Sequence, residues 1–419
     1  MFKIKSKIKK LRHINIKDTS KKIKKCDVLL FCHDADRGVD LNGKAYSPLI
    51  DSFREELEKL GYVCQTIAHP WSKLGAAEAF GSPILCNFSF LLSLIYKKIG
   101  ISKNSTINFY KKIFEKSSPN IIITIGCNDI LCEAAWDLGI FHVELLHGIG
   151  YNPIPWNWDK KNKKNLPRAI LSLDTVSTKT FSALEKKGVK IIEIEHPFLK
   201  RFNKENAKSL PEEWKPPLSN KNYEKEILIS LQWGYASGID AKDGFDSKLE
   251  NGLFHKEIED VISLSHETVY WRFRFHPVQY RQPEKYKKLF NFMDNFIKKH
   301  PNCDWEESTH KPLPSILSQC TGHITMCSMV SYEAAYMGIQ TLALSSILKK
   351  GRKYENYFTD LEQSGYLEKK EATFEDIRNW VNSVQKKEPF LQSSNTKTIE
   401  QAIKIMFEKS QHKPLNKKL

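Results

Sequence analysis

The amino-acid sequence predicts an α/β protein of two domains, each built on a parallel β-sheet with helices on both faces. Short β-branched runs alternate with amphipathic segments in two successive series along the 419 residues, and this alternation is typical of parallel strands joined by crossover helices. A polar, proline-bearing stretch lies between the two series, as an interdomain linker would. The length also favours two domains, because one domain usually spans about 100–200 residues.

The expected domain boundaries follow the changes in composition. They give a basic amphipathic tail at 1–25, an N-terminal Rossmann-like domain at 26–205, a linker at 206–225, a C-terminal Rossmann-like domain at 226–375, and C-terminal helices with a basic tail at 376–419.

The first series begins with Asp27–Cys32, an apolar run that leads through a polar loop into an amphipathic segment closing at Gly61. Strand, loop, helix and glycine stop are the pattern of a βα unit. Pro119–Gly126 is rich in β-branched residues, as strands buried on both faces are. Further strands are expected at 62–67, 141–146, 169–173 and 189–194, and helices at 88–95, 107–114, 129–138 and 177–187.

The second series repeats the pattern after the linker. Strands are expected at 227–231, 269–275, 322–326 and 340–344, and helices at 253–264, 286–298, 313–318, 328–337, 374–384 and 399–409. Ligands of such sheets bind where loops leave the carboxyl ends of the strands. Residues that directly follow a strand are therefore the first candidates for a functional site.

The formal net charge of +16 is concentrated at the chain ends. Residues 1–25 carry one acid, Asp18, and their isoleucines and leucine recur at helical spacing. This pattern is typical of a basic amphipathic helix on an anionic membrane, where each Lys or Arg contributes about 1 kcal/mol. A solvated arm explains it equally well. A nucleic-acid partner is not expected, because no recognition motif accompanies the charge.

The sequence predicts a cytoplasmic protein, with peripheral contact to the inner face of the cell membrane as an open alternative. No signal peptide is visible, and the longest apolar run, Phe88–Tyr96, is far shorter than the about 20 residues of a spanning helix. Nine cysteines without a CxxC pair or metal-ligand spacing indicate reduced thiols, with neither disulfide nor zinc expected.

One candidate phosphate site is the segment Thr325–Glu333, where a strand runs directly into a predicted helix opened by Ser328. A helix N-terminus offers unpaired N–H groups to a diphosphate, and the Ser328 hydroxyl would add a donor. Glu333, about one turn inward, could accept hydrogen bonds from a ribose. The alternative is an ordinary N-cap serine with a solvated glutamate.

A second candidate is the strand end Arg272–Pro277. Arg272, Arg274 and His276 alternate along the strand and share one face. Together they could hold phosphate charge, with His276 donating to the oxygens of a leaving group. Two other His-Pro pairs, His69-Pro70 and His196-Pro197, are interpreted as strand-end turns.

Two further loops follow predicted strands. Gln232, Gly234 and Tyr235 lie in the first loop of the C-terminal domain, where Gly234 would permit close backbone approach to a ligand. His147, in the glycine-bearing loop that ends at Tyr151, is a candidate catalytic group of the N-terminal domain. A plain turn and a structural histidine are the alternatives.

Taken in order, these motifs resemble a known family. A His-Gly loop (His147-Gly148), an Arg-x-His-Pro strand end (Arg274–Pro277) and a strand-Ser-helix with an acid five residues on (Ser328, Glu333) resemble the GT-B glycosyltransferases of bacterial capsule and lipopolysaccharide biosynthesis. The set is also similar to teichoic-acid glycerophosphotransferases and to bacterial sialyltransferases and Kdo transferases. The likeness spans roughly residues 26–350.

The resemblance implies a GT-B fold, with two Rossmann-like domains whose parallel sheets face a central cleft. It implies a nucleotide-sugar donor in the C-terminal domain, with Arg274, His276 and Ser328 near its phosphates and Glu333 near its ribose. An oligosaccharide or lipid-linked saccharide acceptor would bind the N-terminal domain. The best match to the family's acidic catalytic groups is Asp36, followed by Asp34, as general base for the acceptor hydroxyl; capping of their own loop is the alternative.

The sequence therefore predicts a glycosyltransferase that needs no cofactor. No DxD pair stands in the donor domain, and arginine, histidine and a helix dipole can stabilise departing phosphate charge without a metal ion. A metal-independent enzyme is expected. The alternatives are a polyol-phosphate transferase with a cytidine-linked donor, a nucleotide-sugar epimerase, and a non-catalytic, membrane-associated scaffold.

Overall fold

The computed structural model describes residues 16–102, 104–203, 205–217, 222–233, 249–352, 354–390 and 395–410. These residues form two compact units. Unit 1 comprises the described residues up to Lys200 together with 395–410, and unit 2 comprises those from Arg201 to 390. Each unit contains a six-stranded parallel sheet. The α/β class with two Rossmann-like sheets, predicted from the sequence, is confirmed.

Unit 1 alternates strands and helices along the chain. Its strands are β1 (Val28–Cys32), β2 (Val39–Leu41), β3 (Lys44–Tyr46), β4 (Cys64–Ala68), β5 (Ile121–Thr124), β6 (Phe141–Leu145), β7 (Ala169–Ser172) and β8 (Lys190–Glu193). Its helices up to Lys200 are α1 (Ile50–Lys59), α2 (Asn87–Lys98), α3 (Ser105–Ser117), α4 (Asp129–Asp137) and α5 (Thr175–Phe181).

Unit 2 continues the alternation. Its strands are β9 (Lys225–Ser230), β10 (Leu249–Glu250), β11 (Phe254–His255), β12 (Val269–Arg274), β13 (Cys303–Asp304), β14 (Gly322–Thr325), β15 (Gln340–Ala343) and β16 (Leu367–Lys369). Its helices are α6 (Lys256–Leu264), α7 (Pro277–Tyr280), α8 (Pro283–Lys299), α9 (Glu306–His310), α10 (Leu313–Gln319), α11 (Val330–Tyr336), α12 (Thr359–Gln363) and α13 (Phe374–Ser383). The last helix of the chain, α14 (Ile399–Ser410), belongs to unit 1.

The sheet of unit 1 has the order β4-β1-β5-β6-β7-β8, with every neighbouring pair parallel. All five residues of β1 and all four of β5 are buried. Strands covered by helices on both faces lack the hydrophobic alternation of a half-exposed sheet, which explains their continuous apolar runs. The small β2–β3 hairpin lies outside this sheet.

The sheet of unit 2 has the order β13-β12-β9-β14-β15-β16 and is parallel throughout. Helix α13 packs closely over β14, because a Cβ on Gly322 would lie 2.7 Å from the Trp380 ring. A buried ion pair joins the Arg272 Nε to the Glu226 Oε2 at 2.6 Å. This pair links β12 to β9 inside the unit.

Two segments pack differently from what composition suggests. The stretch at 206–225, expected as a linker, contributes the buried Trp214 to unit 2, and the Ser315 hydroxyl donates to the Trp214 carbonyl at 2.6 Å. The C-terminal helices separate: α13 lies in unit 2, whereas in α14 the Phe407 ring stacks on Tyr62 of unit 1 with centroids 4.4 Å apart. Among the described residues, no helix is both long and apolar enough to cross a bilayer.

Candidate functional site

Three adjacent strands of unit 2 bring their carboxyl ends together. Because β12, β9 and β14 are neighbours in the sheet, the residues that follow them meet at one edge. Trp233 after β9 stacks on His276 after β12, with ring centroids 5.2 Å apart and planes 17° from parallel. The Gln279 amide donates to the Gln232 carbonyl at 3.5 Å. The loops that follow β9 and β12 are thus in direct contact.

His276 is held by the start of helix α7. The ring Nδ1 of His276 accepts a hydrogen bond from the Val278 backbone N–H at 3.2 Å. The backbone N–H of His276 donates to the Gln279 Oε1 at 2.9 Å. Burial, and then the positive charges of Arg281 and Arg274, lower the pKa of His276 to about 4. Near neutral pH the ring is uncharged, and because Nδ1 accepts, the hydrogen-bond pattern assigns the proton to Nε2.

The two arginines of β12 have different roles despite sharing a strand face. Arg272 is almost wholly buried in its ion pair with Glu226, so its charge is used within the core. Arg274 is half-buried at the strand end, where its guanidinium donates to the Ser308 carbonyl and, at 2.8 Å, to the Lys311 carbonyl. The contacts of Arg272 are those of a structural residue, and a phosphate role for Arg274 stays a prediction.

Glu333 of helix α11 lies close enough to Arg274 for each charge to act on the other. Burial raises the pKa of the Glu333 carboxyl to about 7, and the Arg274 charge opposes that rise. Burial lowers the pKa of Arg274, and the negative charge of Glu333 is among those that oppose this lowering. A carboxyl with this pKa changes between hydrogen-bond donor and pure acceptor near neutral pH.

Ser328 lies just before helix α11 rather than inside it. The helix begins at Val330, so the predicted start is two residues early, and Met329 holds the N-cap position without a side-chain cap. The Ser328 hydroxyl accepts from the Val330 N–H at 3.3 Å, and its carbonyl accepts from the Ser331 hydroxyl at 2.9 Å. This local bonding shapes the turn after β14 and replaces the serine cap expected from the sequence.

Two predicted residues of this cluster, Gly234 and Tyr235, lie outside the described residues. Trp233, one position earlier, was not predicted, although it is 44% exposed and its Nε1 donates to the Tyr286 hydroxyl at 3.3 Å. Its signal in the sequence is its place: a large aromatic residue that directly follows a strand. Pro277 is the first residue of helix α7, where its missing N–H costs nothing.

In unit 1 a histidine cluster lies at the carboxyl edge of the sheet. His33, directly after β1, stacks on His69, directly after β4, with centroids 4.0 Å apart and planes 11° from parallel. His69 is buried and its Nε2 bonds to the Ile125 carbonyl at 3.1 Å. At the other strand-end turn, the His196 Nδ1 accepts from the Phe198 and Leu199 N–H groups, each at 3.2 Å. Both His-Pro pairs therefore have the contacts of structural turns. His33, which was not predicted as a site residue, is the exposed ring of the stacked pair.

His147 joins this edge from the loop after β6. Its Nε2 lies 3.2 Å from the Tyr151 hydroxyl, and its ring centroid is 5.6 Å from that of Trp156. Burial, and then the charge of His33, lower the pKa of His147, so the imidazole is neutral at neutral pH. A neutral imidazole beside a tyrosine can accept a proton from a bound hydroxyl.

The two predicted carboxylates of the loop after β1 differ in their surroundings. Asp34 accepts from the Ser72 hydroxyl at 2.7 Å and from the Lys73 and Leu74 N–H groups at 2.6 and 3.3 Å. These bonds favour the loop-capping role for Asp34. Asp36 is half-buried. Burial is the main cause of the raised pKa of Tyr151, and the negative charge of Asp36 adds to the rise. Asp36 therefore lies near enough to Tyr151 for its charge to act on the phenol.

The two parallel sheets define the class of fold: double-Rossmann and GT-B-like. The UDP-GlcNAc 2-epimerase of Methanocaldococcus jannaschii, solved with UDP-GlcNAc and UDP, is similar at a TM-score of 0.51 and 11% identity over 91% of this chain and 99% of its own. The Neisseria meningitidis UDP-GlcNAc 2-epimerase bound to UDP-GlcNAc has a TM-score of 0.50 and 11% identity over 92% and 94%. A spinosyn rhamnosyltransferase complexed with thymidine diphosphate aligns with 92% of this chain and 96% of its own, at 13% identity and a TM-score of 0.47.

At these identities the similarity shows the fold alone. No protein-family model matches the sequence, and no curated protein matches it significantly.

The raised pKa of Glu333 makes a measurable contribution to stability. Because the folded state holds this proton more tightly than the unfolded chain, whose carboxyl has a pKa near 4.5, stability falls as pH rises from that value through about 7. Glu333→Gln removes this loss, so we expect its urea midpoint to exceed that of the wild type only at the higher pH values. Glu368→Gln, at an exposed position of the same unit, is the matched control; an identical pH-dependent gain there would contradict the assignment.

Proposed function

We propose that this protein is a glycosyltransferase that moves a sugar from a nucleotide-activated donor to a surface polysaccharide or a lipid-linked acceptor. The observation that carries the proposal is the grouping of Arg274, Glu333 and the Nε2–H of His276 at the carboxyl edge of the unit 2 sheet. A fixed cation and a neutral hydrogen-bond donor can bind the phosphates of a nucleoside diphosphate, and a carboxylate can accept from its ribose hydroxyls.

Each group has a role in this proposal. Arg274 is anchored by two backbone carbonyls, and a preorganised guanidinium binds phosphate oxygens at little entropic cost. His276 donates from Nε2 to the oxygens of the departing nucleotide and stays neutral while doing so. Glu333 in its ionised form accepts from the ribose hydroxyls. Trp233, stacked on His276, offers an aromatic face to the base.

A nucleotide-sugar epimerase is the second candidate function. It is favoured by the similarity in fold to two UDP-GlcNAc 2-epimerases that bind UDP-GlcNAc. An epimerase would use the same unit 2 groups to hold the nucleotide, so those residues do not separate the two reactions. The dependence on an acceptor does separate them.

The decisive experiment incubates the purified chain with UDP-, TDP- and CMP-linked sugars and with cytidine-linked polyols, each with and without an oligosaccharide acceptor mixture. Glycosyl transfer releases nucleotide only when acceptor is present. Isomerisation of the donor without acceptor identifies an epimerase, and release from a cytidine-linked polyol identifies a polyol-phosphate transferase. If calorimetry detects no binding of any of these donors, the enzymatic proposal fails.

His276 provides a test in which fold and chemistry are separable. His276→Asn keeps an N-cap acceptor for helix α7 but removes the Nε2–H donor, whereas His276→Ala removes both. We expect both variants to lose transfer, and only the alanine variant to lose about 1 kcal/mol of unfolding free energy. Transfer assays and urea unfolding check this. Full transfer by a folded His276→Asn enzyme would remove the donor role.

The acceptor hydroxyl needs a base, which we assign to unit 1. Asp36 is the proposed base, and the neutral His147 with its Tyr151 partner orients the hydroxyl. Asp34, already engaged by Ser72, Lys73 and Leu74, is assigned to holding the loop. The three predicted catalytic residues thus receive separate roles.

A pair of amide substitutions tests this division. We expect Asp36→Asn to lower kcat by about 10²–10⁴-fold, the usual contribution of a general base, with little change in nucleotide affinity. Asp34→Asn is the matched control in the same loop. It should lower the thermal midpoint clearly and kcat only slightly. The assignment is wrong if a folded Asp34 variant loses as much kcat as the Asp36 variant.

The acceptor proposal includes contact with an anionic membrane through helix α2. Phe88, Ile95 and Tyr96 lie on this helix and Ile99 directly follows it; all four are exposed, by 41% to 60%. Tyr96 also lines a groove of about 710 Å³, whose other lining residues include Lys111, Lys112, Glu115 and Lys116 of helix α3. An apolar strip beside cationic side chains matches the interfacial region of a bilayer with anionic lipids.

Vesicle sedimentation tests this surface. We expect the wild type to bind phosphatidylglycerol vesicles and to be released by salt, and Ile95→Asp and Ile99→Asp to bind much less, because a carboxylate would enter the apolar layer. Leu264→Asp replaces a similarly exposed leucine of unit 2 and should bind as the wild type does. Equal binding by the Ile95, Ile99 and Leu264 variants would exclude this surface.

A further inference from the structure

Two cysteines and a histidine converge inside unit 1, away from any motif in the linear sequence. Cys127 lies in the loop after β5, Cys132 lies on helix α4, and His142 lies on β6. The two thiol sulfurs and one imidazole nitrogen all lie within 4.8 Å of one another. The β5-α4-β6 crossover brings them together, because it returns the chain alongside the strand it left.

His142 supplies an independent sign that this cluster binds a ligand. Its side chain is fully buried, its Nδ1 makes no hydrogen bond to any group outside the cluster, and the Cys132 thiol interacts with the ring. Its other ring nitrogen, Nε2, lies 2.9 Å from the Thr124 hydroxyl. The ring nitrogen that faces the cluster therefore has cysteine sulfur as its neighbour, and a cation that takes its lone pair would bind the same sulfur.

The residues behind His142 have the arrangement that orients a metal-bound imidazole. The Thr124 hydroxyl donates to the Glu144 Oε2 at 2.5 Å, and this leaves it able to accept from a His142 Nε2–H. Glu144 is held in turn by the N–H groups of Gly126 and Cys127 at 2.6 and 3.1 Å. With the proton on Nε2, Nδ1 carries the free lone pair. Metal-binding histidines commonly bond their second nitrogen in this way.

We propose that Cys127, Cys132 and His142 bind a thiophilic divalent cation of the Zn²⁺ class, with a fourth position open to water or another ligand. Two thiolates and one imidazole form a ligand set that Zn²⁺ accepts with such an open position. Ligands at bond lengths of about 2.0–2.3 Å lie roughly 3.5–4 Å apart in a tetrahedral site, which small side-chain rotations would reach from the present separations. Binding releases the two thiol protons to solvent.

The residues around the cluster indicate how a cation would enter and which part of unit 1 it would affect. Cys127 is half-buried whereas Cys132 and His142 are fully buried, so a cation would enter from the Cys127 side. The nearby Lys161 ammonium is paired with the Asp129 carboxylate at 2.6 Å, which offsets its repulsion of a cation. A metal bound to Cys127 would fix the adjacent Gly126, against which the His33 ring packs. Cation binding would therefore also stabilise the histidine edge of unit 1.

The test measures metal in the full-length protein purified without chelator from zinc-supplemented cells. We expect about one equivalent of zinc per chain by mass spectrometry of the elements, falling to near zero in Cys127→Ser and Cys132→Ser. Cys86→Ser replaces a buried cysteine of the same unit outside the cluster and should keep the metal. Cys127 is only half-buried, so its variant is the one most secure against misfolding, and far-ultraviolet circular dichroism checks each variant.

A second measurement uses the wild type alone. Chelated protein reconstituted with Co²⁺ should show thiolate-to-cobalt charge transfer and the strong visible bands of a tetrahedral site, both abolished by equimolar Zn²⁺. Three results would each overturn the proposal: no metal uptake by protein whose thiols are reduced, zinc retained in Cys127→Ser, or a disulfide between Cys127 and Cys132 in the purified chain. None of these outcomes depends on whether the protein transfers sugars.

Discussion

The burial of both sheets on both faces is the constraint on which the rest of this structure depends. When helices cover a parallel sheet from both sides, a polar side chain on a central strand has no access to water and must find its partner inside. Arg272 and Glu226 meet this requirement as an ion pair. Groups that must meet a solvated ligand are consequently confined to the strand ends, where His33, His276 and Glu333 lie.

Two buried histidines show how strictly this constraint is met. His323 on β14 has both ring nitrogens bonded, Nδ1 to the Thr341 hydroxyl at 3.0 Å and Nε2 to the Ser230 hydroxyl at 2.9 Å. Burial lowers its pKa to about 3, as expected of a neutral, satisfied imidazole. His142 on β6 has Nε2 bonded to the Thr124 hydroxyl. The two buried histidines therefore differ in their surroundings: hydroxyl groups bond both nitrogens of His323, whereas His142 has a hydroxyl on one side and cysteine thiols on the other.

The fold class could be predicted from the sequence because the two features that determine it, apolar strand runs and amphipathic crossover segments, are local. Runs such as Ile121–Thr124 are apolar throughout, and the amphipathic segments between them are long enough to cross back over the sheet. The two-residue strand β13 has no such signal, since it depends on pairing with β12. The start of helix α11 was misplaced because Ser328 bonds to the backbone of its own turn instead of capping the helix.

The site was only partly predictable, because residue type and strand position do not specify partners. Arg272 and Arg274 look equivalent in the sequence, and only the buried Glu226 separates them. Asp34 and Asp36 are likewise equivalent until the loop at 72–74 engages one of them. Cys127, Cys132 and His142 have no recognisable spacing, since a crossover rather than a short motif joins them.

The return of helix α14 to unit 1 affects how the chain can mature. The unit that begins the polypeptide is completed by residues 395–410, so the whole of unit 2 is, topologically, an insertion within it. A ribosome normally lets the leading domain fold while the trailing one is still being made. Tyr62 can stack on Phe407 only after the whole of unit 2 has been synthesised, so unit 1 acquires its full core after unit 2 has left the ribosome's active site.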